Sequence, residues 1–166
     1  MQENIKHLDY SLIEEAGERY NEVFEVPITL AVNGEIHVRN VGIYKYFSPT
    51  KINTYVQELI NGLDIARTYN KKSVSDIAIP YSIFLIIKNF TTLKLPSFFA
   101  EQLKAIENMI NTGAMFQIFA EFDPNEIDKL MNEVVRVVEN FDVKLPDIEK
   151  IKEQIAEQLQ DKSLLE

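Results

Sequence analysis

A chain of 166 residues, 46% of them hydrophobic, has the length of one domain and enough apolar material for a real core. It contains no cysteine, which removes disulfides, thiolate-bound zinc, iron–sulfur clusters and cysteine nucleophiles. Its formal charge of −9 argues against phosphate-driven nucleic-acid binding, which needs concentrated Lys and Arg.

That charge is unevenly spread. Residues 1–26 sum to −5 (seven acidic, two basic), residues 27–113 to +3 (nine basic, six acidic) and residues 114–166 to −7 (six basic, thirteen acidic). Acidic ends of this kind keep a helical protein solvated, and they also suit docking onto a basic partner or head-to-tail self-association. No apolar run follows a basic start in residues 1–26, so synthesis and residence in the cytoplasm are expected. The most apolar stretch, residues 77–87, is about half the length of a membrane-spanning helix. It reads as a core helix, and no membrane partner is expected.

In chain order, Asp9 or Ser11 can cap a short helix over residues 9–19, which Gly17 weakens. From Tyr20 the period changes to two: Val23, Phe24, Val26, Ile28, Leu30 and Val32 suit a half-buried strand. Asn33-Gly34 supplies a type I′ turn, and Ile36 and Val38 resume the alternation. A lone hairpin is marginal in water, so it must pack on helices, gain a third strand from residues 41–46, or pair with another chain.

After Phe47 the pattern is helical. Ser48 can cap and Pro49 fits the first helical position, with Ile52, Tyr55, Val56, Leu59, Ile60 and Leu63 along one stripe; either Gly62 lies near its end or the stripe continues towards Tyr69. Ser73 and Asp76 open a second helix in which Pro80 introduces a kink or a restart, and residues 83–90 are apolar on nearly every side. Leu95-Pro96 interrupts, Ser97 can cap a third helix, and Gly113 ends it. A short helix over 115–122 precedes Asp123-Pro124 with Glu126, the strongest cap in the chain. That cap opens a helix carrying Ile127, Leu130, Met131, Val134, Val138 and Phe141 on one face. Leu145-Pro146-Asp147 introduces a last helix with Ile148, Ile151, Ile155 and Leu159, one apolar residue per turn. So narrow a seam suits either a peripheral helix folded back on its own domain or a partner-binding arm. The expected architecture is α+β, mainly α: an N-terminal β-hairpin (residues 20–46) packed on a bundle of about five helices (body 48–142, C-terminal amphipathic helix 147–162) in a single domain, 1–166.

The chain shows little sign of catalytic chemistry. His7 and His37 have no second histidine at metal-binding spacing, no G-x-S-x-G elbow exists, and the five glycines stand too far apart for a phosphate cradle. Glu14, Glu18 and Glu22 would share a helical face and Glu121, Asp123 and Asp128 crowd a helix junction, but capping accounts for Asp123 and Glu126. Tyr44, Tyr46 and Phe47 beside Lys45 and Lys51 could form a stacking platform for single-stranded nucleic acid, although alternating aromatics more often pack a core. No catalytic residue, cofactor or metal ligand is therefore assigned.

The run Tyr44-Lys45-Tyr46-Phe47-Ser48-Pro49-Thr50-Lys51-Ile52, the later Leu95-Pro96-Ser97-Phe98 and the acidic helical tail resemble small tail-assembly and virion-morphogenesis proteins of phages of AT-rich Gram-positive bacteria. The resemblance covers residues 26–142. It implies a non-enzymatic, mostly helical protein, of the tail-assembly-chaperone kind, that binds tail or other virion components in the host cytoplasm and forms homo-oligomers. The partner-binding residues expected are Ile148, Ile151, Ile155 and Leu159, followed by the hairpin's Ile28, Leu30, Ile36 and Val38. The alternative is an acidic inhibitor that mimics nucleic acid in the basic cleft of a host protein. An enzyme built from scattered carboxylates is a third reading.

Overall fold

The computed structural model describes residues 6–69, 74–140 and 148–161. Helix α1 (Tyr10–Gly17) starts where the Asp9 carboxylate accepts the backbone N–H of Ser11 at 2.7 Å. At Gly17 it tightens into a 3₁₀ turn, Glu18–Asn21, that delivers the chain to strand β1 (Val23–Val32). β1 pairs antiparallel with β2 (Glu35–Tyr44), from Val32 opposite Glu35 to Val23 opposite Tyr44. The turn between them has φ of 51° at Asn33 and 80° at Gly34, both positive as type I′ requires. Residues 41–44 thus continue the second strand instead of forming a third. The third-strand position is held by a short bridge from Thr91 to Ile43.

One face of the hairpin lies on the helices. Val26, Ile28, Val41 and Ile43 are buried there and Leu30 is half-buried. Helices α2 (Pro49–Tyr69), α3 (Val74–Phe90), α4 (Phe99–Asn111), α5 (Ala114–Phe119), α6 (Pro124–Asn140) and α7 (Ile148–Asp161) make up the rest, so the fold is α+β and mainly α. α2 opens as expected, with the Ser48 hydroxyl accepting the Lys51 N–H at 3.3 Å and Pro49 at the first helical position. Its stripe runs past Gly62 to Ala66, so Gly62 is interior to the helix. α3 continues through Pro80 without a restart. Its residues Ile83 to Ile87 and Phe90 are all buried, as an all-round apolar helix demands.

Two helix starts depart from expectation. Ser97 does not cap α4: Phe98 holds the cap position without a side-chain bond, and Gln102 instead reaches back to donate to the Pro96 carbonyl at 3.0 Å. At α6, Asp123 caps through the Asn125 N–H at 2.8 Å, but Glu126 does not close the capping box. Its Oε2 accepts the N–H of Phe47 at 2.8 Å, while Lys129 bonds Glu126 at 2.7 Å and donates to the Phe47 carbonyl at 3.3 Å. This clasp fixes the hairpin's exit to a helix eighty residues later. The Phe47 ring then stacks on Phe90 (centroids 3.8 Å apart, planes at 11°) and meets Phe122 edge-on at 5.8 Å.

Two tyrosines tie the bundle together. Tyr55 shares a 2.6 Å hydrogen bond with Ser82, and the Tyr81 hydroxyl donates to Gln102 at 3.1 Å. Burial raises both phenols: Tyr55 moves well above the ordinary tyrosine range despite the opposing Ser82 bond, and Tyr81 is pushed up to about 12, with nearby Glu58 adding to the effect. The folded state therefore favours the neutral phenols. Stability from them is present below the unfolded value of about 10 and is lost as pH rises through 10 to 12. We expect tyrosinate absorbance and circular dichroism to change together in that window for two of the seven tyrosines. Ionisation of all seven with the helical signal intact would contradict this burial.

Candidate functional site

The hairpin's hydrogen-bond parity determines what its edges can offer. Val32 and Glu35 close the turn as a bonded pair, so every second pair along the ladder also exchanges bonds inward. The backbone groups of Thr29 in β1 and of Ile36, Val38, Asn40 and Gly42 in β2 point outward. Two of these sites are occupied by the helical body. Gln117 of α5 accepts the Thr29 N–H at 2.9 Å and donates to the Thr29 carbonyl at 2.8 Å, imitating a neighbouring strand. Thr92 does the same at Gly42, accepting its N–H at 2.9 Å and donating to its carbonyl at 2.8 Å. Pro27 stands at another outward position of β1, where its missing N–H interrupts that edge. Between the turn and Thr92, the β2 edge at Ile36, Val38 and Asn40 carries one bond from the described residues, the Arg39 guanidinium on the Val38 carbonyl at 2.8 Å.

The same stretch is apolar on its outer face. Ile36 is 69% and Val38 52% exposed, on the side of the sheet away from the helices. A second uncovered surface is α1, whose main packing among the described residues is against its own 3₁₀ turn. Leu8, Tyr10, Leu12 and Ile13 are 51–72% exposed and the helix buries no residue. A third is a shallow groove of about 280 Å³ between α3 and α4, floored by Ile77, Pro80, Leu103 and Ile106 and edged by Asp76 and Glu107.

Among the expected partner-binding residues, Ile36 and Val38 are presented to solvent, while Ile28 is buried and Leu30 half-buried against the helices. Ile155 is a correction. It is 1% exposed, because α7 folds back on α3 and α6, with Lys152 donating to Asn132 of α6 at 3.0 Å. This position of the seam serves the core and is closed to a partner. Ile148, Ile151 and Leu159 lie in α7, and their side chains fall outside the described residues, as does Phe141.

The aromatic platform is divided. Phe47 is core, while the rings of Tyr44 and Tyr46 are covered by the chain's own cations, Lys51 at 3.2 Å and Arg19 at 4.4 Å from their centres. Glu14, Glu18 and Glu22 do not share one helical face, because α1 ends at Gly17, and Glu22 pairs with Lys45 at 3.5 Å. Among the described residues, no three His, Asp or Glu side chains gather as a metal site would need. None of their helices is long and apolar enough to cross a membrane. The α1 surface and the two edge stops went unread in the sequence. A short Leu12, Ile13, Ala16 stripe was available for α1, whereas Gln117 and Thr92 act across 88 and 50 residues without any local signal.

A family model, YomO, matches residues 10–166 and so takes in α1, the hairpin and every later helix. The chain belongs to the YomO family. A relative in Bacillus subtilis (strain 168), the SPbeta prophage-derived protein YomO, is 25% identical over 136 residues, which are 82% of this chain and 77% of the relative. No solved structure matches. Membership of the YomO family supports the phage association expected from the resemblance and makes this a phage-associated chain.

Proposed function

We propose that this YomO-family chain is a non-enzymatic phage assembly protein that binds tail or other virion components in the host cytoplasm, as a tail-assembly chaperone does. The observation that carries this reading is α1. An isolated helix of eight residues is well below the roughly 12–15 needed for stability in water, yet this one leaves Tyr10, Leu12 and Ile13 more than half exposed, with Leu8 just before it exposed as well. A helix face of that kind gains cover from a partner's groove. Covering the half of Leu12 and Ile13 that is still exposed contributes roughly 0.8–1.7 kcal/mol each.

The experiment is co-expression with the tube and tape-measure proteins of the same phage, followed by affinity measurement with the purified component that co-elutes. Leu12→Asp with Ile13→Asp is expected to weaken binding at least about a hundredfold while leaving the melting temperature unchanged, since neither residue belongs to the buried core. Failure to bind any virion component would refute the assembly role. Binding that ignores Leu12 and Ile13 but falls steeply with salt would favour the acidic-inhibitor alternative.

A further inference from the structure

The open stretch of β2 has a second property, independent of any virion partner: it is complementary to itself. The edge is bounded by the turn at Gly34 and by Thr92 at Gly42, so the outward positions left to a new strand are residues 34–40, centred on His37. An antiparallel copy of β2 laid there in register about that centre sets Ile36 against Val38 of the second copy and Val38 against its Ile36. Both are outward-bonding positions, so these pairs exchange main-chain hydrogen bonds as the ladder requires. Glu35 then faces Arg39 of the second copy on the other side of the sheet, and this pair too occurs twice. A shift of two residues in either direction breaks the charge match, and a shift of one places outward groups against inward ones.

The geometry points to a second copy of this chain as the occupant of the β2 edge, joining two hairpins into one four-stranded antiparallel sheet with a two-fold axis at His37. Several features of the single chain agree with that end. A two-stranded sheet is marginal, and an uncovered edge with apolar Ile36 and Val38 invites pairing. Other outward positions are already stopped by Gln117, Pro27 and Thr92, so pairing is steered to one place. On dimerisation Arg39 gives up the Val38 carbonyl to the partner strand and turns to a carboxylate, Glu35 of the second copy. The interface is small, of the class that associates weakly.

Sedimentation velocity of the full chain over a concentration series, up to roughly 1 mM, reads this directly. The mass is expected to climb from 19.2 kDa toward twice that value. Glu35→Arg and Arg39→Glu each turn two attractive cross-strand pairs into repulsive ones, and each is expected to raise the dimer dissociation constant about tenfold. An equimolar mixture of the two variants restores both attractions and is expected to dimerise like the wild type. Val38→Pro removes an outward N–H but no bond to β1, so it is expected to abolish the dimer with the hairpin intact by NMR. A wild type that stays at 19.2 kDa throughout overturns the inference. So does a dimer that survives Glu35→Arg and Val38→Pro undiminished, which would place self-association on another surface such as α1.

Discussion

Phe47→Ala is expected to cost about 3–5 kcal/mol, a large part of the 5–15 kcal/mol that holds a domain of this size together. Phe47 is the residue at which the hairpin, α2, α3 and α6 are joined. Its ring is 1% exposed, stacked on Phe90 and edge-on to Phe122, so truncation leaves a cavity at the centre of the core. Its backbone N–H and carbonyl are held by Glu126 and Lys129, which anchors the peptide and limits how far the chain can collapse into the void. Urea denaturation at neutral pH measures the loss directly. Phe47→Leu keeps most of the volume and should cost less than half as much, and equal costs would mean that the stack on Phe90, not the filled volume, carries the stabilisation.

Gly62→Ala is the second large effect, and its sign opposes helix propensity. In an open helix interior the substitution stabilises by about 1 kcal/mol, because glycine carries the greater entropic cost. Here the new methyl group would land on the Tyr81 ring, overlapping its hydroxyl and two ring carbons. Tyr81 cannot withdraw freely: its hydroxyl is bonded to Gln102 and its ring packs edge-on against Phe99 at 5.6 Å. Overpacking of this kind costs about 1–3 kcal/mol after relaxation, so a net loss of up to about 2 kcal/mol remains after the propensity gain. Gly17→Ala is the control. A methyl there meets nothing within 4 Å and the backbone has negative φ, so α1 should gain a few tenths of a kcal/mol up to about 1. A stabilised Gly62→Ala variant would show that α2 and α3 are less closely apposed than the structure has them.

The parts of this fold that were legible in sequence are those whose cause is local. Asn33-Gly34 with flanking alternation announces the hairpin, Asp123-Pro124 announces α6, and the apolar run of residues 83–87 followed by Phe90 announces a central helix. Several of the misreadings involve a distant partner. Glu126 has the right spacing for a capping box, but Phe47, 79 residues away, offers it a better-placed donor. Gly62 resembles a helix end until Tyr81 is seen against it. A seam of one apolar residue per turn fits an arm or a peripheral helix equally well, and only the packing of Ile155 between α3 and α6 separates the two. The uncovered surfaces were half legible. Periodicity marks Ile36 and Val38 as strand residues, but not which face of the sheet the helices cover or where Thr92 and Gln117 stop the edges.

The proposed role rests on α1, a helix that the described residues leave largely exposed. Hydrogen exchange of the amides of Tyr10–Gly17, followed in the free protein and in its complex with a co-expressed virion component, tests it most directly. The prediction is exchange close to the unprotected rate in the free protein, against slow exchange in α3, and strong protection of α1 once bound. Slow exchange of α1 in the free protein, or no change on complex formation, would contradict it.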